Sequence, residues 1–191
     1  MREHQVNQLD NFICGWYIDT SVCDELLDYY HKSWKKAPGC IGSEEYAIPE
    51  LKDSIDVQLE PCDLANRYIK CLAQVKAKYI EKYPNSSPGA QWDVTTLAQI
   101  QHYKPKGGFH VWHCERCTKT EPLSSRHLTF MTYLNDVNDQ GETEWFHQKL
   151  KIKPEKGLTI LWPVDWTHTH RGVPSPTEDK YIVTGWFNYI E

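Results

Sequence analysis

From residue 95 onward the sequence breaks into short runs in which apolar and polar residues alternate: TTLAQIQHY, HLTFMTYLND, TEWFH, LKIKP, GLTILWP and KYIVTGWFNYI. A period of two is what a strand with one buried and one wetter face requires. Each run is bounded by Gly, Pro, Asn or Asp, which favour turns. Such a series buries its apolar faces by closing into a sandwich or barrel. Six of the eight Trp also lie after residue 90, and aromatic side chains suit a half-buried pleated surface.

The first half reads differently. FICGWYI is a first strand or coil, and SVCDELLDYYHKSWKK brings Val22, Leu26, Tyr29 and Tyr30 near one helical face, with Ser21 as N-cap and an end before Pro38. The segment APGCIGSEEYAIPELKDS is broken by Pro and Gly and reads as loop. In CDLANRYIKCLAQVKAKYIEKY the residues Leu64, Tyr68, Cys71, Leu72, Val75 and Tyr79 recur at helical spacing, and PNSSPG stops that helix. The expected fold class is α+β, mainly β. Two helices over about residues 1–90 would pack on one outer face of a core of seven or eight strands over about residues 91–191, in a single domain.

Bulk properties exclude several functions. Twenty-one basic against 26 acidic residues leave a net charge of −5, so there is no general positive field for nucleic acid or an anionic membrane. No apolar run approaches the roughly 18 residues a bilayer span needs. MREHQVNQLDNF has no apolar core of the kind a secretion signal carries. Seven scattered cysteines fit reduced thiols better than a disulfide framework, which places the expected protein in a cytoplasm.

The segment FHVWHCERCTKT, residues 109–120, carries two competing chemistries. Cys114 and Cys117 form a C-x-x-C pair, but structural zinc needs a second half-site and none follows. In an extended chain His113 and Glu115 point to one side and offer an imidazole and a carboxylate to a common point. Downstream, DWTHTHRGVPSPTEDKYIVTGWF supplies His168 and His170, which regular strand geometry alone does not separate. Two histidines and a carboxylate on one face of an octahedron make the facial triad of non-haem Fe(II) oxygenases. Lys180, ten residues beyond His170, opens an apolar run where an ammonium is costly to bury unless it meets an anion.

From about residue 96 to 189 the chain resembles the prolyl 4-hydroxylase branch of the Fe(II)/2-oxoglutarate-dependent dioxygenases. HYKPKGGFHVWHCE is similar to that family's Y-x-P-G…H-x-D block. RHLTFMTYLNDVNDQGETEW is similar to R-x-x-T-x-x-x-Y-L-N-D followed by G-G-E-T, and KIKPEKGLTILW to V-K-P-x-x-G. HRGVPSPTEDKYIVTGW is similar to H-x-G-x-P…K-W…W, and its interval to Lys180 favours His170 over His168.

The resemblance implies a double-stranded β-helix (jelly-roll) core. It also implies His113, Glu115 and His170 as Fe(II) ligands and Lys180 as partner of the C5 carboxylate of 2-oxoglutarate. Tyr133 would assist Lys180, Tyr103 would lie close to the cosubstrate, and Trp186 would pack near His170. The implied reaction consumes O2, converts 2-oxoglutarate to succinate and carbon dioxide, and hydroxylates a prolyl residue of a protein or peptide; ascorbate is a further candidate cofactor. Alternatives are a free-proline or other small-molecule hydroxylase, and a catalytically idle binding domain on the same fold. Two positions depart from the family: Glu115 where Asp is usual, and Gln140 where Gly is usual.

Overall fold

A computed structural model describes residues 1–4, 10–41 and 46–190. Residues 42–45, within the segment read as loop, and residues 5–9, within the polar amino terminus, lie outside the described residues. In chain order the elements are β1 (Glu3–His4), β2 (Cys14–Tyr17), α1 (Thr20–Lys32), β3 (Ala37–Pro38), β4 (Ile55–Gln58), α2 (Asp63–Lys82), β5 (Trp92–Val94), β6 (Gln99–Tyr103) and β7 (Phe109–His113). They continue with β8 (Arg126–Tyr133), β9 (Thr143–Trp145), β10 (Leu150–Ile152), β11 (Leu158–Pro163), β12 (His170–Gly172) and β13 (Lys180–Tyr189).

Both helices form where their periodicity placed them, but α1 is capped differently. The Asp19 side chain accepts from the Ser21 backbone N–H, so Asp19 is the N-cap and Ser21 lies in the first turn. Helix α2 is capped by Cys62, whose Sγ accepts from Ala65 N.

The strands form two sheets. The larger runs β1-β2-β11-β8-β13-β6-β4-β3, with β5 also paired to β13, and the smaller runs β10-β9-β12-β7. Among the described residues nine strands lie after residue 90, where seven or eight were expected, and four lie before it. The ones not read from the sequence are runs of two to four residues, too short to show a period.

The larger sheet is buried on both faces, with alternate residues of each strand serving different cores. On β8 and β13, Leu128, Phe130, Val183 and Phe187 pack with Leu26 and Tyr30 of α1 and Tyr68, Leu72 and Val75 of α2. Burying one such side chain contributes about 1.5–3 kcal/mol. Cross-strand Phe130 presses its ring tip onto Gly185, where an added Cβ would sit 2.5 Å from Cζ, so any side chain there would have to displace the ring. The opposite face presents Tyr103, Met131, Tyr133, Trp162 and Ile182 to Trp145 and Ile152 of the smaller sheet, forming the core between the sheets. This two-sheet jelly roll is the expected double-stranded β-helix. One end of the inter-sheet space stays open as a cavity of about 580 Å³.

Candidate active site

Strand pairing assembles the centre. β12 runs antiparallel to β7 with His170 directly opposite His113, and a bulge between His170 and Gly172 breaks the register beyond that pair. The two imidazole centroids are 4.3 Å apart. Glu115, just past the end of β7, brings Oε1 to 3.3 Å from His170 Nε2 and 3.7 Å from His113 Nε2. One ligand atom from each of the three lies within 4.8 Å of the others.

The tautomers follow from the second nitrogen of each ring. His113 Nδ1 is 3.0 Å from Val111 O, and His170 Nδ1 is 2.9 Å from His168 O. A carbonyl only accepts, so each Nδ1 carries the proton and each Nε2 faces the cluster. Burial and the neighbouring His170 push His113 down to about 4, so it is neutral at pH 7. Burial opposes ionisation of Glu115, yet the neighbouring His170, His113 and Arg126 outweigh it and hold the carboxyl at about 2. Converging imidazole nitrogens and a carboxylate suit a divalent transition metal, so this donor set fits Fe(II).

His168 does not join the cluster. It sits in a 3-10 turn, Trp166–His168, with Nε2 on Asn11 O at 2.9 Å, which turns it toward the amino-terminal segment. That turn interrupts the strand, so the shared face of a regular His168–His170 strand never forms. Cys114 and Cys117 are free thiols that line the cavity. The strand ends at His113, so strand alternation does not set the direction of Cys114.

Lys180 lies 3% exposed on the cavity wall, with Nζ donating to Gly141 O at 3.0 Å and Val173 O at 3.2 Å. No carboxylate among the described residues comes within ion-pair distance, and burial lowers its pKa to about 8. A buried ammonium with two carbonyl acceptors and a free third proton fits the carboxylate of 2-oxoglutarate. The turn that supplies the Gly141 carbonyl has Gln140 at φ 62° and Gly141 at φ 82°. Gln140 thus adopts the left-handed conformation natural to the glycine usual there, at a cost of about 1 kcal/mol.

The three aromatic residues singled out in the sequence take different places around the cavity. Tyr103 lies on the wall with its ring centroid 4.9 Å from Lys180 Nζ, and its hydroxyl donates to Gln101 Oε1 at 2.7 Å. Tyr133, expected to assist Lys180, is fully buried behind the wall. Its hydroxyl donates to Thr143 Oγ1 at 2.7 Å and is 3.2 Å from Ile152 O, so Thr143 is the hydroxyl that reaches the cavity. Trp186 lines the same cavity as His170 and donates from Nε1 to Glu115 Oε2 at 3.0 Å. The indoles flanking His170 are Trp162 and Trp145, at ring centroid distances of 5.0 and 6.2 Å.

The far wall went unread in the sequence. Buried Lys52 pairs with Asp56 Oδ2 at 2.7 Å, Ser54 Oγ donates to Asp56 Oδ1 at 2.8 Å, and Gln101 Nε2 approaches Asp56 Oδ2 at 3.4 Å. This chain links Lys52 to the Tyr103 hydroxyl. It exists because β4, too short to announce itself, pairs with β6 and sets Asp56 beside Gln101. Arg116 and Arg171, which adjoin the cluster in sequence, are held by Asp165 and Glu144 at 2.9 Å each.

Residues 98–188 match the family model described as the 2OG-Fe(II) oxygenase superfamily. No curated protein matches the chain in sequence. Solved structures share its fold. The viral collagen prolyl hydroxylase of Paramecium bursaria Chlorella virus-1, in its 2-oxoglutarate complex, superposes with a TM-score of 0.69 at 19% identity, covering 94% of this chain and 97% of that one. A Pseudomonas putida prolyl-4-hydroxylase gives a TM-score of 0.73 at 14% identity over 93% and 92% of the two chains. A Trichoplax adhaerens prolyl hydroxylase, bound to a hypoxia inducible factor oxygen degradation domain peptide fragment, gives 0.75 at 17% identity over 93% and 84%. The stretch that matches the 2OG-Fe(II) oxygenase superfamily model is the β-rich half that carries His113, Glu115, His170 and Lys180.

Proposed function

We propose that the protein is an Fe(II)- and 2-oxoglutarate-dependent dioxygenase that hydroxylates prolyl residues in a protein or peptide. The observation that carries this reading is one cavity holding two kinds of site: three metal donors within 4.8 Å of one another, and a buried ammonium without a counter-anion. His113, Glu115 and His170 would hold the iron, and Lys180 would bind the C5 carboxylate of 2-oxoglutarate. When bound, iron and 2-oxoglutarate together supply the activation of O2 needed to turn a C–H bond into C–OH. The chain's own contribution is orientation and exclusion of water. Trp162 and Trp145 flank His170, Tyr103 and Ile182 wall the cosubstrate end, and the two Nδ1–carbonyl bonds keep both Nε2 atoms aimed inward.

The prolyl substrate rests on the motif resemblance and on the activities carried by the structural neighbours' names. A volume of about 580 Å³ leaves room beside a small diacid, along a wall formed by Ala37, Pro38, Gln58 and Gln99. The reading extends to ascorbate as the reductant that keeps the iron ferrous. It also extends to a reducing cytoplasmic setting, since all seven cysteines are free and none of the described helices is long and apolar enough to cross a membrane.

The test is incubation with Fe(II), ascorbate, 2-oxoglutarate and proline-containing peptides, with free proline in a parallel arm. Succinate should appear in step with one added oxygen on the peptide by mass spectrometry. Oxygen added only to free proline would move the assignment to a small-molecule hydroxylase, and metal binding without turnover would leave a binding domain.

A further inference from the structure

Glu115 stands where the resembling family has aspartate, and its extra methylene adds a rotatable bond that must be restrained if one oxygen is to face a metal. The structure shows what restrains it. Glu115 Oε2 accepts from Trp186 Nε1 at 3.0 Å and lies 3.5 Å from Arg126 Nη1. Arg126 also donates from Nη1 to the Glu115 backbone carbonyl at 2.8 Å, and its guanidinium carbon sits 3.4 Å over the Trp186 ring. Arg116 closes the assembly by donating to Arg126 O at 3.2 Å while pairing with Asp165. With Oε2 occupied, Oε1 is the oxygen left toward both imidazoles.

We propose that Trp186 and Arg126 are positioning residues that hold the long carboxylate of Glu115 with Oε1 directed at the metal, and that this hold is matched to glutamate. The proposal rests on the reading of His113, Glu115 and His170 as a metal site. Shortening the side chain by one C–C bond withdraws the carboxylate by about 1.5 Å, which takes it out of hydrogen-bond reach of the indole. An aspartate in place of Glu115 would therefore gain nothing from Trp186. Groups that orient a ligand contribute about 10- to 100-fold in metal affinity.

The experiment is a double-mutant cycle on the metal-binding step alone, without 2-oxoglutarate or turnover. Wild type, Trp186→Phe, Glu115→Asp and the double variant are titrated anaerobically with Co(II), reading affinity and the visible absorption of the bound ion. Trp186→Phe should weaken binding about tenfold or more when Glu115 is intact and less than about twofold in the Glu115→Asp background, and should shift the cobalt bands only when Glu115 is intact. Equal losses in both backgrounds, or none in either, overturn the proposal. Arg126→Lys, which keeps the charge and removes the stacking plane, enters a parallel cycle and decides the matter if Trp186→Phe does not fold by circular dichroism. If wild type binds Co(II) without this coupling, only the positioning role fails. If it binds no Co(II), the metal site itself fails and the positioning role with it.

Discussion

Raising the pH should stabilise this protein in a way that depends on one residue. Lys180 is 3% exposed with no carboxylate at ion-pair distance among the described residues, and burial outweighs the more distant charge of Glu142 to bring its pKa from 10.5 to about 8. In the unfolded chain the ammonium keeps its proton up to about pH 10.5, whereas the folded protein releases it near 8. Between those values the unfolded state binds more protons, so stability rises with pH. Below pH 8 the whole cost of holding the buried charge is present, and above 10.5 it is gone. Each tenfold change in proton affinity is about 1.4 kcal/mol, so the drop from 10.5 to about 8 corresponds to a cost of about 3 kcal/mol in the metal-free, cosubstrate-free protein.

The assay is urea unfolding of wild type and Lys180→Met at intervals from pH 7 to pH 10.5. The variant cancels contributions from every other titrating group, and the two orphaned carbonyls of Gly141 and Val173 shift its curve by a constant. The difference between the curves should change by about 3 kcal/mol across the window, in the direction that makes wild type relatively more stable at high pH. Saturating 2-oxoglutarate should raise the Lys180 pKa and flatten the difference. Parallel curves without ligand would refute the account of Lys180 as a buried, unpaired ammonium.

Fe(II) or Co(II) at about 100 times its dissociation constant should stabilise wild type by about 2.7 kcal/mol in thermal melts, with the gain reversed by chelator and absent in His113→Ala. His168→Ala should cost about 1–3 kcal/mol, because the Asn11 carbonyl loses its partner, while Co(II) affinity stays unchanged. Asp56→Ala strands the Lys52 ammonium, which is 3% exposed, and should cost about 3–5 kcal/mol in urea unfolding. Replacing both partners with apolar residues should recover most of that loss.

What could be read from the sequence was what a single segment determines. The period-two runs marked the β-rich half, and the 3.6-residue recurrence of Leu64, Tyr68, Leu72, Val75 and Tyr79 marked α2 to within a residue at each end. The spacing of His113 and Glu115 is one that lets an extended chain offer both to a common point, and the ten residues from His170 to Lys180 are a property of the chain itself. Two-residue strands such as β3 carry no period, so their place in the larger sheet was invisible.

The interval to Lys180 favours His170 over His168, but only the tertiary structure supplies the physical reason, a 3-10 turn in place of the strand that would have made them equivalent. Register set His170 opposite His113, and packing sent Trp186 to Glu115 and Tyr133 behind Thr143. The Lys52–Asp56 pair, too, came from a wall built by a segment that reads as loop. Backbone geometry fixes where neighbouring side chains point, so the types and spacing of the donors are local. Which strands lie side by side, and in what register, is settled by burying surface between residues far apart in the chain, and that decides which donors meet and what holds them.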